Sequence, residues 1–239
     1  MIRFYFVIIV SIIPIIYYLM RCSAIMHNPE KYDEMARYQT ALYACETIKQ
    51  RARVHTDVYG TENLPSDNGY IMYPNHQGKY DAVGIMSSHS APCTILVDEK
   101  RSHMLLLNEM IQILNGKRLD KTDPRSQIRT MQTISQEVSD GRKYIIFPEG
   151  GYSSVKDNSV EVFLPGAFKA AVKAQCPIVP VALIDSYKPF GINSLKKVKT
   201  QVHYLKPLFF DDYKEMSTKE ISETVRAMII NKIEEMQAI

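Results

Sequence analysis

The chain has 239 residues, 46% of them aliphatic, aromatic or cysteine and 23% charged, with a net charge of +3. That length and balance suit one large globular domain and exclude a disordered chain. So small a charge, carried by basic residues spread along the chain, gives no ground for a nucleic-acid partner.

Residues 4–20, FYFVIIVSIIPIIYYLM, are 17 residues without a charge. As one helix they would reach about 25 Å, slightly less than the roughly 30 Å hydrocarbon core of a bilayer. Arg3 and Arg21 flank the stretch, where snorkelling would close the gap, and Tyr17 and Tyr18 suit the interface. The stretch reads as an uncleaved membrane anchor. A signal peptide would want a shorter apolar run and a small-x-small site where Met20-Arg21-Cys22 stands; a buried core helix is the third reading. Arg21, Lys31 and Arg37 follow the stretch and Arg3 alone precedes it, a bias that puts the main domain on the cytosolic side of the cell membrane.

Residues 33–52 predict a second helix, with Met35, Tyr38, Leu42, Cys45 and Ile48 on one stripe. It faces the core, or lies on the membrane with Lys49, Arg51 and Arg53 near headgroups. From residue 54 the chain alternates. Residues 70–73 read as a strand, 81–88 as a helix, 94–97 as a strand and 104–114 as a helix. Pro124 after Asp123 starts another helix, buried along Ile128, Met131, Ile134 and Val138 and stopped by Gly141. Strands follow at 144–147, 178–184 and 202–208, with a helical stretch at 165–175 between the first two. Ser217-x-x-Glu220 is a capping box for a last amphipathic helix. Cys22, Cys45, Cys93 and Cys176 lack any CxxC spacing and read as mostly reduced and buried.

Apolar strands alternating with helices imply an α/β domain, a mostly parallel or mixed central sheet flanked by helices behind an amino-terminal membrane-anchoring helix. The expected division is an anchor and amphipathic helix over residues 1–53 and a catalytic domain over 54–239.

Two polar signatures follow strands directly. YIMYPNHQGKYDAV carries His76 and, five residues on, Asp81; FPEGG carries Glu149. The carboxyl ends of parallel strands share one edge of a sheet, where ligands bind, so His76 and Glu149 are expected to face one cleft. Histidine exchanges a proton near neutral pH, and a carboxylate on one ring nitrogen fixes its tautomer and steadies the imidazolium. There is no G-x-S-x-G elbow and no cysteine beside this histidine. A base without a protein nucleophile implies a substrate that brings its own hydroxyl. Two alternatives are a purely structural histidine and a zinc site of His76, Asp81 and Glu149; no HExxH or close histidine pair supports the zinc.

Asn75-His76-x4-Asp81, then Phe147-Pro148-Glu149-Gly150, then Ile178-Val179-Pro180-Val181 resemble, in order and spacing, the motifs of the glycerolipid acyltransferase family, whose best-known members are 1-acyl-sn-glycerol-3-phosphate acyltransferases. The resemblance covers about residues 55–210. It implies acyl transfer from acyl-CoA or acyl-carrier protein to a lysophospholipid hydroxyl in phospholipid biosynthesis, with membrane lipids as partners, no cofactor and no metal. His76 would be the base and Asp81 its orienter. Asn75, Glu149, Gly150 and Pro180 would belong to the substrate site, and Lys100 would donate to the oxyanion. The family usually continues its third motif with Thr-Arg-Ser; here Gly151-Tyr152-Ser153 stand, and the arginine that would help hold phosphate is missing. The second block usually ends in arginine; here Lys121 stands in, as a point charge without the bidentate fork. The acceptor is therefore less determined than the acyl transfer, and a non-phosphorylated alcohol is an alternative. Two other readings are a non-catalytic lipid-binding or membrane-scaffold protein with the same fold, and a thioester hydrolase.

Overall fold

The protein is described by a computed structural model covering residues 2–66, 68–152 and 154–238. The elements run α1 (Ile2–Val10), α2 (Ile12–His27), α3 (Glu34–Arg51), β1 (Val54–Tyr59), β2 (Tyr70–Pro74), α4 (Asp81–Ser88), β3 (Thr94–Asp98), α5 (Glu99–Ser102), α6 (Leu107–Ile113), β4 (Lys117–Leu119), α7 (Pro124–Ser139), β5 (Lys143–Ile145), α8 (Lys169–Ala174), β6 (Ile178–Ile184), α9 (Lys188–Gly191), β7 (Val198–Tyr204), α10 (Phe210–Tyr213) and α11 (Thr218–Gln237). The strands form a seven-stranded sheet in the order β1-β7-β6-β2-β5-β3-β4. Only the β6–β7 pair is antiparallel.

Strand alternation sends side chains to two cores. Ile71, Tyr73, Tyr144, Ile178 and Ala182 meet Ile134, Val138, Ile221, Val225 and Ile229 on one face. Tyr70, Met72, Ile145, Val179 and Val181 meet Tyr18, Cys22, Tyr38, Cys45 and Ile85 on the other. Burial on both faces explains why β6 is apolar at every position. The helix starts follow their chemistry. Asp33 accepts from the backbone of Ala36 and Asp123 from that of Arg125, and the Ser217 hydroxyl and Glu220 cap one another. All four cysteines are free and buried.

Four expectations need correction. Residues 4–20 do not form one helix: α1 and α2 meet at Ser11, bent by 71°. Pro14 is the reason. In a continuous helix it would lack an N–H for the carbonyl of Val10 and clash with it, whereas a restart at Ile12 puts it in the first turn, where no N–H is needed. Among the described residues no single helix is long and apolar enough to cross a membrane, although the bent pair passes the same test together. Arg3 is not free to snorkel either. Arg3 is buried, and Arg21 lies over the ring of Tyr32 at 5.6 Å. The buried stripes are narrower than expected, since Met35 and Ile128 are exposed. The last strand is Val198–Tyr204, not 202–208, and it pairs with β1, an edge strand whose VHTDVY lacks an apolar alternation.

Candidate active site

Strands β2 and β5 are parallel neighbours, with Met72 opposite Ile145. Both end at the same edge, so the segments that follow them meet although 73 positions separate His76 from Glu149. The backbone N–H of His76 donates to Glu149 Oε1 at 3.1 Å. After β2 the chain turns tightly into α4, which presents Asp81 in its first turn. The Asp81 carboxylate is 0% exposed. It is tolerated there because four donors meet it. Oδ2 accepts from His76 Nδ1 at 2.7 Å, Gln77 N–H at 2.6 Å and Gly78 N–H at 2.8 Å. Oδ1 accepts from the Ser186 hydroxyl at 2.5 Å. A carboxylate only accepts, so Nδ1 carries the proton and Nε2 is left with its lone pair. The His76 ring stacks on Phe147 with centroids 4.0 Å apart and meets Tyr152 at 4.8 Å and 87°.

His76 lies on a cleft of about 620 Å³, within the range of small-molecule sites. Its walls are largely apolar: Phe4, Val7 and Ile8 of α1, Ile15 and Tyr18 of α2, then Val83, Val97, Leu106, Met110 and Phe147. The amino-terminal helices thus roof the histidine's cleft, while Ile2, Tyr5, Ile9, Ile12, Ile13, Ile16 and Met20 on their other side are exposed.

The remaining sequence-predicted residues divide. Lys121 and Gly150 line the cleft. Lys121 Nζ bonds the Gly150 carbonyl and pairs with Asp98, and Gly150 turns the chain there with φ 72°. Asn75, Lys100, Glu149 and Pro180 do not line it. Asn75 is buried and spends its amide on the backbone of Leu183, donating at 3.0 Å and accepting at 2.7 Å, which ties β2 to β6. Pro180 lies within β6 opposite Tyr73. Lys100 is exposed on the four-residue α5, whereas its neighbour Arg101 lines the cleft. Glu149 braces the His76 backbone, and burial pushes its carboxyl up to about 8, with the Asp81 charge adding to the rise. Ser153 of the departed third motif lies outside the described residues. Among the described residues no group of three or more His, Cys, Asp or Glu side chains is placed to hold a metal ion.

Sequence reasoning missed three residues that line the cleft or touch Asp81. Ser186 and Gln77 carry no motif; Gln77 accepts from Ser186 N–H at 2.8 Å and donates to Asn158 at 2.9 Å. Arg101 sits with its guanidinium 4.9 Å from the Tyr152 ring centroid, on the residue that replaces the family's arginine. The adjacent basic pair Lys100-Arg101 was the available signal, and of the two Arg101 lines the cleft.

A family model described as Acyltransferase matches residues 55–184, more than half of the chain. The chain belongs to this acyltransferase family. It is 26% identical over 238 residues to the 1-acyl-sn-glycerol-3-phosphate acyltransferase of Escherichia coli, covering 98% of this chain and 93% of the relative. To the enzyme of that name from Saccharomyces cerevisiae it is 24% identical over 207 residues, 84% of this chain and 67% of the relative. The crystal structure of the 1-acyl-sn-glycerophosphate (LPA) acyltransferase PlsC from Thermotoga maritima superposes with a TM-score of 0.77 at 24% identity, covering all of this chain and 95% of that one. The fold of this acyltransferase is therefore the PlsC fold, seven strands flanked by helices.

Proposed function

We propose that this acyltransferase moves a fatty acyl group from a thioester, acyl-CoA or acyl-carrier protein, to the free hydroxyl of 1-acyl-sn-glycerol-3-phosphate at a membrane surface. The observation that carries the reading is the His76–Asp81 pair at 2.7 Å on an apolar cleft roofed by the amino-terminal helices. Nε2 of His76 takes the proton of the acceptor hydroxyl as its oxygen attacks the thioester carbonyl, and Asp81 steadies the imidazolium. The tetrahedral adduct collapses, the C–S bond breaks, and the departing sulfur leaves with the proton from His76. The products are a diacylated phospholipid and the free thiol, with no acyl-enzyme. Apolar walls suit an acyl chain, and the exposed isoleucines of α1 and α2 suit insertion into one leaflet on the cytosolic face.

Arg101 and Lys121 hold the acceptor phosphate in this reading, supported by the Tyr152 ring that meets His76 edge-to-face at 4.8 Å and carries the Arg101 guanidinium 4.9 Å from its centroid. A hydroxyl at the histidine and a phosphate four bonds away span such a gap, and the guanidinium offers the fork that lysine lacks. Gly151-Tyr152 in place of the family's Thr-Arg favours a second reading, a non-phosphorylated acceptor. Initial rates with lysophosphatidic acid and with monoacylglycerol test both. Preference for the first, with loss of at least about 10²-fold in kcat on His76→Ala, is expected. Activity of His76→Ala within a few-fold of wild type overturns the base, and equal use of the two acceptors overturns the phosphate site.

A further inference from the structure

Arg3 is 1% exposed although it lies in the first turn of a helix whose Ile2, Tyr5 and Ile9 face outward. Its partners are neutral carbonyls. Nη1 donates to Pro189 at 2.8 Å and to Lys188 at 3.3 Å, and Nη2 donates to Lys196. Taking a guanidinium out of water to meet only neutral acceptors is costly, and an apolar residue would seat α1 without that cost. The charge grips one particular segment, the α9 turn and the loop into β7.

The same segment begins at the catalytic pair. Asp185 leaves β6 with φ 62°, a left-handed conformation uncommon outside glycine. It is over-determined: its N–H donates to Asn158 Oδ1 at 2.7 Å, its Oδ1 accepts from Asn158 Nδ2 at 3.2 Å, and Lys188 pairs with its Oδ2 at 2.6 Å. Aspartate enters that conformation more readily than most residues, and these partners fix it in this one turn. This turn delivers Ser186, 3% exposed, whose hydroxyl reaches Asp81 Oδ1 at 2.5 Å. Two residues further on, Lys188 offers Arg3 its carbonyl.

We infer that Ser186 is a positioning residue for the His76–Asp81 pair, and that α1 sets its place by docking through Arg3. The amino-terminal helix is then part of the machinery for turnover, and its correct seating raises the rate as well as tethering the enzyme. The inference rests on the proposed roles of His76 and Asp81. Ser186 fixes the carboxylate oxygen that does not touch the imidazole, so that Oδ2 stays in the ring plane. Gln77 and Gly78 N–H groups still hold Oδ2 when the hydroxyl is gone, so the effect is partial.

The test uses the full chain in detergent micelles with both substrates saturating. Ser186→Ala is expected to lower kcat roughly tenfold, the low end for a hydrogen bond to a charged group, with both KM values unchanged. Ser186→Thr, which keeps the hydroxyl, should keep the rate. The Ser186→Ala/Asp81→Asn double variant should be no slower than Asp81→Asn alone, because Ser186 acts through Asp81. Arg3→Gln should lower kcat severalfold and should add little to Ser186→Ala. Thermal melts accompany each variant, and Ser186→Cys, which keeps the volume, carries the test if alanine disturbs folding. A kcat for Ser186→Ala within twofold of wild type, or losses that multiply in the cycle with Asp81→Asn, overturns the positioning role. An Arg3→Gln enzyme that loses binding to phosphatidylcholine–phosphatidylglycerol vesicles but keeps kcat in micelles overturns the coupling and leaves α1 a tether. Full activity of Asp81→Asn by itself would instead mark failure of the underlying base assignment.

Discussion

Asp81→Asn separates charge from geometry at the proposed base. Three donors converge on Oδ2, those of His76 Nδ1, Gln77 and Gly78; the two backbone N–H groups cannot accept in its place, and the imidazole can do so only by changing tautomer. Oδ1 meets a single hydroxyl, that of Ser186, which can rotate and accept instead. The asparagine therefore seats its oxygen at the Oδ2 position and its amide toward Ser186. The fold and the imidazole tautomer survive, and only the negative charge is lost. Opposite charges about 4 Å apart at an effective dielectric of about 20 attract by about 4 kcal/mol, so losing the carboxylate destabilises the imidazolium that forms as the hydroxyl is deprotonated. That corresponds to a fall in kcat of roughly a thousandfold. A reversed amide would set its NH2 against two backbone N–H groups and turn the imidazole tautomer, with a loss nearer 10⁴-fold. Initial rates of acyl transfer, with circular dichroism melts of both proteins, decide the matter. A well-folded variant that keeps more than a tenth of wild-type kcat would refute the argument that Asp81 supports a charged His76.

Arg101→Ala should raise the KM for lysophosphatidic acid about ten- to a hundredfold, the worth of a charged hydrogen bond, and spare the donor. Lys121→Ala should raise it only severalfold, because part of that charge is spent on Asp98 and the Gly150 carbonyl; a larger effect from Lys121 reverses the ranking. Glu149 carries a raised carboxyl, near 8 against an ordinary 4.5. Its neutral form thus favours the folded state fully below about pH 4.5, and that contribution drains away as pH rises to about 8. Glu149→Gln should flatten the fall in melting temperature across that window, and an unchanged profile counts against the burial argument. Ile9 and Ile13, 71% and 76% exposed, should enter the bilayer. Glutamate at both should cut vesicle partitioning at least about a hundredfold, given roughly 1.5–3 kcal/mol per buried isoleucine, and sedimentation with vesicles reads this directly.

Much of the site was legible because its scaffold is written in short, decisive runs. The apolar runs that became β2, β5 and β6 belong to strands buried on both faces, and a Pro or a polar motif closes two of them, so their ends could be placed to within about two residues. Parallel neighbours then bring those ends together without further information, and His76 and Glu149 meet as a consequence. What the sequence hid has other physical causes. On a helix successive residues point about 100° apart, so Lys100 and Arg101 could not be distinguished until α5 was seen, and only Arg101 reaches the cleft. Asn75 and Pro180 sit inside the motifs yet hold strands, because residues next to a site also have to build its walls. Ser186 was invisible because its partner lies 105 positions away and a lone serine has no periodicity.

The amino terminus gives the strongest physical reason for reading the whole chain as one device. Hydropathy treats residues 4–20 as a single oily segment, but Pro14 forces a restart at Ile12, and the 71° bend lets the pair do two things at once. One side presents isoleucines outward; the other supplies Phe4, Val7, Ile8, Ile15 and Tyr18 to the cleft that ends at His76. A straight spanning helix could not wrap a cleft in this way while keeping Arg3 locked on the α9 turn. An amphipathic substrate drawn from a leaflet would meet the apolar walls before the base, with its polar end arriving beside Tyr152 and Arg101. On the proposed function, the geometry that would seat the enzyme on lipid is also the geometry that would align the hydroxyl, and changes to the bend should alter both together.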